Sequence, residues 1–248
     1  MLVDFCLPIK NEEKIIRQNL ERLLSYCHQV GFGFSWRIIG VINGSSDGST
    51  RILSELKKKF PQEVDYFEVP EAGRGGALKK YWTVSQADVL VYMDADLAVS
   101  LDDLRRLIDP IIKNEGDVVI GSRLMAGSST SRSFGRELVS QTYNRLSRLM
   151  LHHRITDLQC GFKAVRAETF RALFPYLRDD FWFFDTELVI LAQRLGYRVR
   201  EISVDWRENR YEKRSSTVKV FRDSLIFFRN LWSFRRRLMK LRKPGHSA

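Results

Sequence analysis

The amino-acid sequence predicts an α/β protein in which helices flank a mostly parallel sheet. Through residues 2–121, short apolar segments rich in β-forming residues alternate with longer segments of helical periodicity. Residues 89–93, Val-Leu-Val-Tyr-Met, are apolar at every position, which is typical of a strand buried on both faces. The chain has 248 residues, of which 44% are hydrophobic and 29% charged, so it is long enough to bury a sizeable core.

The first half of the chain shows the alternation most clearly. The predicted strands are residues 2–8, 37–42, 66–69, 89–93 and 117–121. The predicted helices are residues 11–30, 51–60, 77–86 and 101–114, and the first carries Ile15, Ile16, Leu20, Leu23 and Leu24 at helical spacing. Turn-forming residues at 43–50 and Pro61 delimit the second helix, and the glycine-rich segment 73–76 precedes the third.

After residue 121 the alternation becomes irregular. A polar loop at 122–132 precedes a predicted helix at 134–151, a short strand within 157–164, a helix at 185–195 and a strand at 198–204. A last helix is predicted over 218–241. We therefore predict one α/β domain over residues 1–217, followed by a tail over residues 218–248.

The formal net charge of +11 is unevenly distributed along the chain. Residues 224–248 contain seven Lys and Arg residues and no acidic residue. This excess favours an anionic partner for the tail, either membrane lipid or nucleic acid. The three cysteines do not make an even disulfide framework, which indicates a reducing compartment.

The candidate site centres on Asp94 and Asp96, which directly follow the strand at 89–93. Ligands of open α/β sheets bind beyond the carboxyl ends of the strands. Two carboxylates there are costly unless a positive charge accompanies them, and Mg²⁺ or Mn²⁺ binds to carboxylates together with substrate phosphates. The pattern predicts a metal–diphosphate site, and the alternative is a solvated turn in which Asp is common.

Several motifs around these acids resemble family 2 glycosyltransferases, which have the GT-A fold and use nucleotide sugars. Four of them, at residues 8–12, 43–50, 94–97 and 121–123, occur in the order and spacing of that family. Residues 156–163, Thr-Asp-Leu-Gln-Cys-Gly-Phe-Lys, and 184–187, Phe-Asp-Thr-Glu, resemble the polyprenyl-phosphate branch, which includes dolichyl-phosphate glucosyltransferase and dolichyl-phosphate mannose synthase. The resemblance covers residues 2–220.

The resemblance implies which residues contact the nucleotide sugar. They are Pro8, Asn11 and Glu12 after the first strand, Asn43 and Asp47 after the second, and Arg74, Asp94, Gln159, Lys163, Asp185 and Glu187 further along. Asn43 stands where the family usually has an aspartate, and its amide can still recognise a base. Several of these residues have a structural alternative: Asn11 and Glu12 fit a helix start, Asp47 could cap a helix, and Asp185 and Glu187 could be helix-start acids.

The resemblance also implies the catalytic and acceptor-binding residues. Asp96 and Asp94 would coordinate the divalent cation, and Arg123, Arg136 and Arg214 would bind the acceptor phosphate. For these arginines the alternative is a solvated surface charge. Ala98 departs from the family, because dolichyl-phosphate mannose synthases often place a polar metal ligand there. The remaining ligands would therefore come from water, substrate oxygens or another side chain.

The tail at 218–248 predicts a basic amphipathic helix with Trp and Phe on its apolar side, which is typical of a membrane interface. Its charges are too frequent for a bilayer crossing. The alternative is a helix that packs on the core and exposes a basic end. We expect a peripheral protein on the cytoplasmic face of a membrane, and the sequence leaves the oligomeric state open.

These observations together predict a metal-dependent, inverting glycosyltransferase. It would move a hexose from a UDP- or GDP-sugar to polyprenyl (dolichyl) phosphate. One alternative is a family 2 enzyme with a soluble or a lipid-linked saccharide acceptor. The other is a non-catalytic protein that binds an anionic membrane or nucleic acid. The sequence contains no aromatic nucleic-acid motif, so we do not expect nucleic acid as a partner.

Overall fold

The computed structural model describes residues 1–131, 134–207 and 220–241, with side chains described for 1–130, 140–207 and 226–241. The strands are β1 (Leu2–Ile9), β2 (Ser35–Asn43), β3 (Val64–Val69), β4 (Val89–Met93), β5 (Val118–Ser122), β6 (Ser129–Ser131), β7 (Phe162–Arg166), β8 (Val199–Ser203) and β9 (Asp205–Arg207). The helices are α1 (Ile16–Val30), α2 (Ser49–Lys59), α3 (Arg74–Val84), α4 (Asp103–Ile112), α5 (Phe134–Leu151), α6 (Ala167–Leu173), α7 (Phe184–Arg194) and α8 (Val220–Lys240).

Seven of these strands form one sheet in the order β3-β2-β1-β4-β7-β5-β8. All neighbouring pairs are parallel except those made by β7, which runs antiparallel to both β4 and β5. Val91 in the middle of β4 lies opposite Phe5 of β1 and Ala164 of β7. The prediction of a mostly parallel sheet flanked by helices is confirmed.

The predicted elements differ from the structure at the first helix and at α6, a short helix that was not predicted. The prediction began the first helix at residue 11, whereas α1 begins at Ile16. Asn11 has a φ of 56°, a left-handed conformation that a helix interior does not contain. The small parallel pair of β6 and β9 was not predicted, because each strand has only three residues.

Helices cover both faces of the sheet, giving three layers. α1, α2 and α4 pack on one face through residues that include Leu20, Leu53 and Leu107. α3, α6 and α7 pack on the other face through residues that include Trp82 and Phe170. The interior strands are therefore buried on both sides, as the apolar sequence of β4 predicted.

α8 belongs to the second of these layers. Leu231, Phe234 and Leu238 are buried in the same core cluster as α3, α6 and α7. The opposite side of the helix exposes Phe228 and Trp232, by 50% and 55%. The apolar residues of the tail are thus divided between the core and the surface. One side of α8 packs on the core, as the second sequence interpretation expected, and another side is exposed. The predicted boundary at residues 217–218 lies outside the described residues.

No helix within residues 1–131, 134–207 and 220–241 combines the length and the apolar character needed to cross a membrane.

Candidate active site

The candidate site lies where the parallel strands end. β1 ends at Ile9, β2 at Asn43, β4 at Met93 and β5 at Ser122. Parallel neighbours end at the same edge of a sheet, so the segments that follow β1, β2 and β4 lie side by side. Motifs that are distant in the sequence therefore meet at this edge.

The segments after β1 and β2, where the nucleotide contacts are predicted, are hydrogen-bonded to each other. The buried Asn43 donates from Nδ2 to the carbonyl of Ile9 at 3.0 Å. The exposed Asn11 accepts at Oδ1 from the backbone N–H of Ser46 at 2.8 Å. Pro8 lies in β1 and Glu12 directly follows Asn11, so the predicted nucleotide-binding residues form one continuous part of the edge.

Asp47 belongs to the same hydrogen-bond network, where its carboxylate binds backbone N–H groups of the protein. Its two carboxylate oxygens accept from the backbone N–H groups of Glu13 and Ser49, each at 3.0 Å. Partial burial opposes its charge, but the hydrogen bonds from Ser49 and Glu13 lower the pKa of Asp47. This geometry matches the helix-capping alternative, since Ser49 is the first residue of α2.

Asp94 and Asp96 lie directly beyond β4. The carboxylate of Asp94 is 42% exposed and accepts from Nη1 of Arg74 at 3.2 Å. Asp96 is half-buried and accepts at Oδ1 from the backbone N–H of Ala98 at 3.2 Å. The side chain of Ala98 is buried and provides no ligand atom. Two hard carboxylates at the edge of the sheet fit Mg²⁺ or Mn²⁺, which binds to one or two carboxylates plus phosphate oxygens and water.

The protein offers few further ligands for such a cation. In the part of the chain that the structure describes, no group of three or more His, Cys, Asp and Glu side chains could hold a metal ion. Gly161 faces Asp94 from β7's side of the sheet, and its carbonyl accepts from the N–H of Asp94 at 3.1 Å. A Cβ at Gly161 would lie 2.1 Å from Oδ2 of Asp94. The observed position of the Asp94 carboxylate therefore requires a glycine at residue 161.

Asp185 is fully buried and holds several elements together. Its carboxylate accepts from the hydroxyl of Tyr92 at 2.8 Å and from Nζ of Lys163 at 2.7 Å, and it forms an ion pair with Arg74. These contacts join α7 to β4, β7 and α3. Both Asp185 and Lys163 are inaccessible to solvent, so the sugar contacts expected of them would require these bonds to break.

Arg74 connects this buried cluster to the partly exposed Asp94. Its guanidinium contacts Asp185 on one side and Asp94 on the other, and it stacks on the ring of Trp182, 4.1 Å from the ring centroid. Burial opposes its charge, but the carboxylate of Asp185 raises its pKa, with smaller contributions from Tyr92 and Asp94. Arg74 therefore carries a permanent positive charge next to the predicted metal ligands.

Arg123 follows β5 and forms a bidentate ion pair with Asp157. Nε and Nη2 of Arg123 donate to the two oxygens of Asp157 at 2.6 and 3.0 Å. Burial raises the pKa of Asp157, but the charge of Arg123 outweighs it and the pKa is lowered overall. Only 14% of the Arg123 side chain is exposed, so the pair fixes the guanidinium in one orientation.

Gln159 lies between this pair and α7. Its side-chain amide donates from Nε2 to the hydroxyl of Thr186 at 2.9 Å, and Thr186 also contacts the hydroxyl of Tyr143 at 2.6 Å. Gln159 is half-buried, so it remains the most accessible of the predicted residues in the segment from Asp157 to Lys163.

Glu187 contacts the tail helix. One carboxylate oxygen accepts from the backbone N–H groups of Arg178 and Asp179 at 2.7 and 2.8 Å, and the other pairs with Arg237 of α8. Glu187 is only 2% exposed, so a contact with a sugar hydroxyl would require these bonds to be replaced. Through these contacts Glu187 holds α8 against residues 178–179, which precede α7.

Two predicted arginines are not tested by the geometry. The backbone of Arg136 lies in α5, but its side chain is outside the described residues, and so is the whole of Arg214. Sequence reasoning missed Arg145 and Arg148, which line a cleft next to Arg123. The signal was present, because Gln141, Arg145 and Arg148 are spaced i, i+4 and i+7 along a predicted helix and therefore share a face.

The fold is GT-A-like, a mostly parallel sheet flanked by helices, and two acids follow β4 while an arginine follows β5. Residues 4–174 match the family described as Glycosyl transferase family 2. The chain therefore belongs to glycosyltransferase family 2, and its relatives confirm the resemblance to the polyprenyl-phosphate branch.

Two curated relatives and one solved structure illustrate this. Glycosyltransferase AglD of Haloferax volcanii is 35% identical over 227 residues, covering 90% of this chain, which spans only 35% of that protein. Dolichyl-phosphate beta-glucosyltransferase ALG5D of Trichomonas vaginalis is 30% identical over 250 residues, covering 95% of this chain and 76% of the relative.

The solved structure is glucosyl-3-phosphoglycerate synthase from Mycobacterium tuberculosis in complex with Mn²⁺, UDP-glucose and glycerol 3-phosphate. It shares 17% identity and a TM-score of 0.65, covering 98% of this chain and 82% of the other. At that identity the likeness shows the fold alone.

The contact between Gly161 and Asp94 gives a first test. In Gly161→Ala the new methyl group displaces the carboxylate of Asp94, and a displacement of about 1 Å at a reacting centre lowers turnover by about a hundredfold. Sugar-transfer rates and thermal unfolding should be measured together. Gly33→Ala is the matched control, because a Cβ at Gly33 meets nothing within 4 Å. Full activity in Gly161→Ala would show that sugar transfer does not depend on where the Asp94 carboxylate lies.

The ion pair between Glu187 and Arg237 gives a second test. Arg237→Ala leaves a buried carboxylate without its charged partner, so we expect the free energy of unfolding to fall by about 1–3 kcal/mol. Denaturant titration measures this change. Arg236→Ala removes the same charge from the neighbouring, exposed position and should leave the stability unchanged. Equal stability of the two variants would show that the pair does not hold α8 in place.

Proposed function

We propose that this protein is an inverting glycosyltransferase that moves a hexose from a nucleotide sugar to polyprenyl (dolichyl) phosphate. The observation that carries the proposal is the edge of the sheet where Asp94 and Asp96 lie close to the buried Arg123–Asp157 pair in a family 2 fold. Burial opposes the charge of Arg123, but Asp157 and, more weakly, Asp94 raise its pKa, so the acid site and the arginine site are electrostatic neighbours. The 30% identical relative named as a dolichyl-phosphate beta-glucosyltransferase supports the choice of acceptor.

The acceptor determines what chemistry the protein must supply. A phosphate monoester is already an anion at neutral pH, so its oxygen attacks the anomeric carbon without a strong general base. The bond from that carbon to the diphosphate breaks, the nucleoside diphosphate leaves with the electron pair, and the anomeric configuration inverts. The main barrier is therefore electrostatic, because an anion approaches an anionic donor. Buried carboxylates such as Asp185 and Glu187 need not accept a proton.

We assign the donor-side roles to residues at this edge of the sheet. Asp94 and Asp96 would hold a divalent cation, Mg²⁺ or Mn²⁺, which supplies positive charge to the leaving diphosphate when bound. The solved structure with Mn²⁺ and UDP-glucose supports this cofactor. Arg74 adds a fixed positive charge beside Asp94.

On the nucleotide, we assign the contacts to Pro8, Asn11, Glu12 and Asn43, with Asp47 bracing their loop. Gln159 is assigned to the sugar or diphosphate. Three further residues are buried against protein partners, so we assign them the role of supporting the site without touching the substrate: Lys163, Asp185 and Glu187. Arg123 is assigned to the acceptor phosphate, together with Arg136 and Arg214 as expected from the family resemblance.

A panel of nucleotide sugars incubated with polyprenyl phosphate and Mg²⁺ or Mn²⁺ tests the activity directly. We expect one UDP- or GDP-hexose to give a lipid-linked sugar. Transfer to water-soluble acceptors alone would contradict the lipid acceptor. Binding to nucleic acid at physiological salt without any transfer would support the non-catalytic alternative.

The metal assignment predicts the behaviour of Asp96→Ala. We expect at least a hundredfold loss of transfer, since one oxyanion-stabilising group is commonly worth about 10²–10³ in rate, and weaker Mn²⁺ binding by electron paramagnetic resonance. Asp109→Ala is the control, because Asp109 is a similarly exposed acid on α4. An Asp96→Ala variant with normal activity and normal Mn²⁺ binding would exclude Asp96 as a ligand.

We also propose that the protein binds peripherally to the cytoplasmic face of an anionic membrane through α8. The exposed side of this helix carries Phe228, Trp232 and Met239 together with Arg229 and Arg236. Aromatic and basic side chains on one surface are typical of helices that lie in a membrane interface. Such a surface would bring the site close to a lipid-phosphate acceptor in the membrane.

Vesicle flotation tests this placement. Phe228→Ser/Trp232→Ser should reduce binding to vesicles that contain phosphatidylserine, because two exposed aromatic anchors are removed without opening the core. Ile112→Ser, which removes an exposed apolar side chain from α4 on the opposite face of the sheet, should leave flotation unchanged. Equal flotation of all three proteins would place membrane binding elsewhere or exclude it.

A further inference from the structure

A cleft of about 300 Å³ opens beside Arg123, between the end of β5 and α5. Its lining residues are Arg123, Leu124, Met125, Gln141, Arg145, Arg148 and Thr156. The three from α5 lie on one face of that helix, because they are spaced i, i+4 and i+7. The volume lies at the lower end of the range for small-molecule sites and suits a small polar group with a short apolar extension.

The charges in this cleft are unbalanced. Arg123 is neutralised by its bidentate pair with Asp157, whereas Arg145 and Arg148 form no ion pair with any residue that the structure describes. Burial, followed by the charge of Arg148, lowers the pKa of His153 to about 4, so this neighbouring imidazole is neutral at pH 7. Among the described residues that line the cleft, Arg145 and Arg148 therefore leave an excess of positive charge.

One carboxylate lies behind the cleft. Glu201 accepts from the hydroxyl of Thr156 at 2.7 Å and from its backbone N–H at 2.9 Å. The hydroxyl of Thr156 also contacts that of Ser122 at 2.6 Å. The hydroxyl and backbone N–H of Thr156 are therefore already hydrogen-bonded within the protein. The guanidinium groups of Arg145 and Arg148 are the groups in the cleft that can bind an anion.

We propose that Arg145 and Arg148 form a binding site for the phosphomonoester group of the acceptor, with Arg123 at its inner end. A phosphomonoester carries about −1.5 to −2 charges at pH 7, so it is attracted to the guanidinium groups of Arg145 and Arg148. Arginine also binds phosphate in a bidentate manner. The proposal rests on the proposed function and adds two residues of α5 that neither the motifs nor the resemblance indicated.

Arg123 and Trp206 lie between the cleft and the candidate active site. Arg123 lies 6.0 Å from the ring centroid of Trp206, and Trp206 lines a small cavity together with Asp94 and Gly161. A phosphate bound beside Arg123 would therefore lie on the side of the cleft nearest the acids that follow β4. Leu124 and Met125 provide apolar surface for the first carbon atoms attached to the phosphate, and Met125 is exposed at the rim.

The test uses Arg145→Gln/Arg148→Gln in the full chain, with KM measured separately for the nucleotide sugar and for polyprenyl phosphate. Removing charge-assisted hydrogen bonds to a phosphate should raise the KM for the acceptor roughly tenfold or more and leave the KM for the donor unchanged. Arg22→Gln is the matched control, because Arg22 is exposed on α1 and does not line the cleft. Thermal unfolding confirms that the variants are folded.

Calorimetric titration distinguishes the sources of the phosphate. Farnesyl phosphate and 3-phosphoglycerate are titrated into wild type and the double variant. Weaker binding of farnesyl phosphate in the variant supports the site with a lipid acceptor. Weaker binding of 3-phosphoglycerate alone supports the site but contradicts the lipid acceptor of the proposed function.

Different results would overturn the phosphate site at Arg145 and Arg148 and the proposed transfer to polyprenyl phosphate. An unchanged acceptor KM and unchanged binding of both phosphates in the double variant overturn the site, while transfer by the wild type leaves the proposed function intact. An equal rise of the acceptor KM in Arg22→Gln also overturns the site. No transfer by the wild type to any polyprenyl phosphate overturns the proposed function itself.

Discussion

The buried carboxylate of Asp185 is the constraint on which the candidate site depends. It joins α7 to β4 through Tyr92, to β7 through Lys163 and to α3 through Arg74. A buried charge is tolerated only when it is paired and hydrogen-bonded, so these elements cannot move apart without isolating it. Because Arg74 also contacts Asp94, the position of the Asp94 carboxylate is tied to the core.

The same helix organises a second region. Asp185 and Glu187 are two residues apart at the start of α7, yet Asp185 faces the sheet and Glu187 faces α8. Through Glu187 the tail helix is tied to the backbone of residues 178–179. The segment that follows carries Trp182, which stacks on Arg74, so the surface proposed for the membrane and the catalytic edge share one framework.

Local patterns predicted most of the fold, because strands buried on both faces and amphipathic helices leave clear periodicities. The antiparallel direction of β7 was not predictable, since strand direction depends on connections far apart in the sequence. The motifs located the edge where the site lies, but not which acids are accessible. Glu187 and Asp94 look alike in sequence, and only packing shows that one is buried and the other exposed. Arg145 and Arg148 were missed because a charged helix face is usually solvated.

The pair of Glu187 and Arg237 has a consequence for how relatives of this chain can diverge. The two positions are 50 residues apart, yet loss of Arg237 leaves the buried Glu187 carboxylate without its charged partner, and loss of Glu187 leaves the half-buried Arg237 without its carboxylate. Neither substitution is tolerated first without a loss of stability, whereas replacing both by apolar residues of similar volume can be neutral. These positions should therefore covary among homologues that keep α8, and drift independently in those that have lost it.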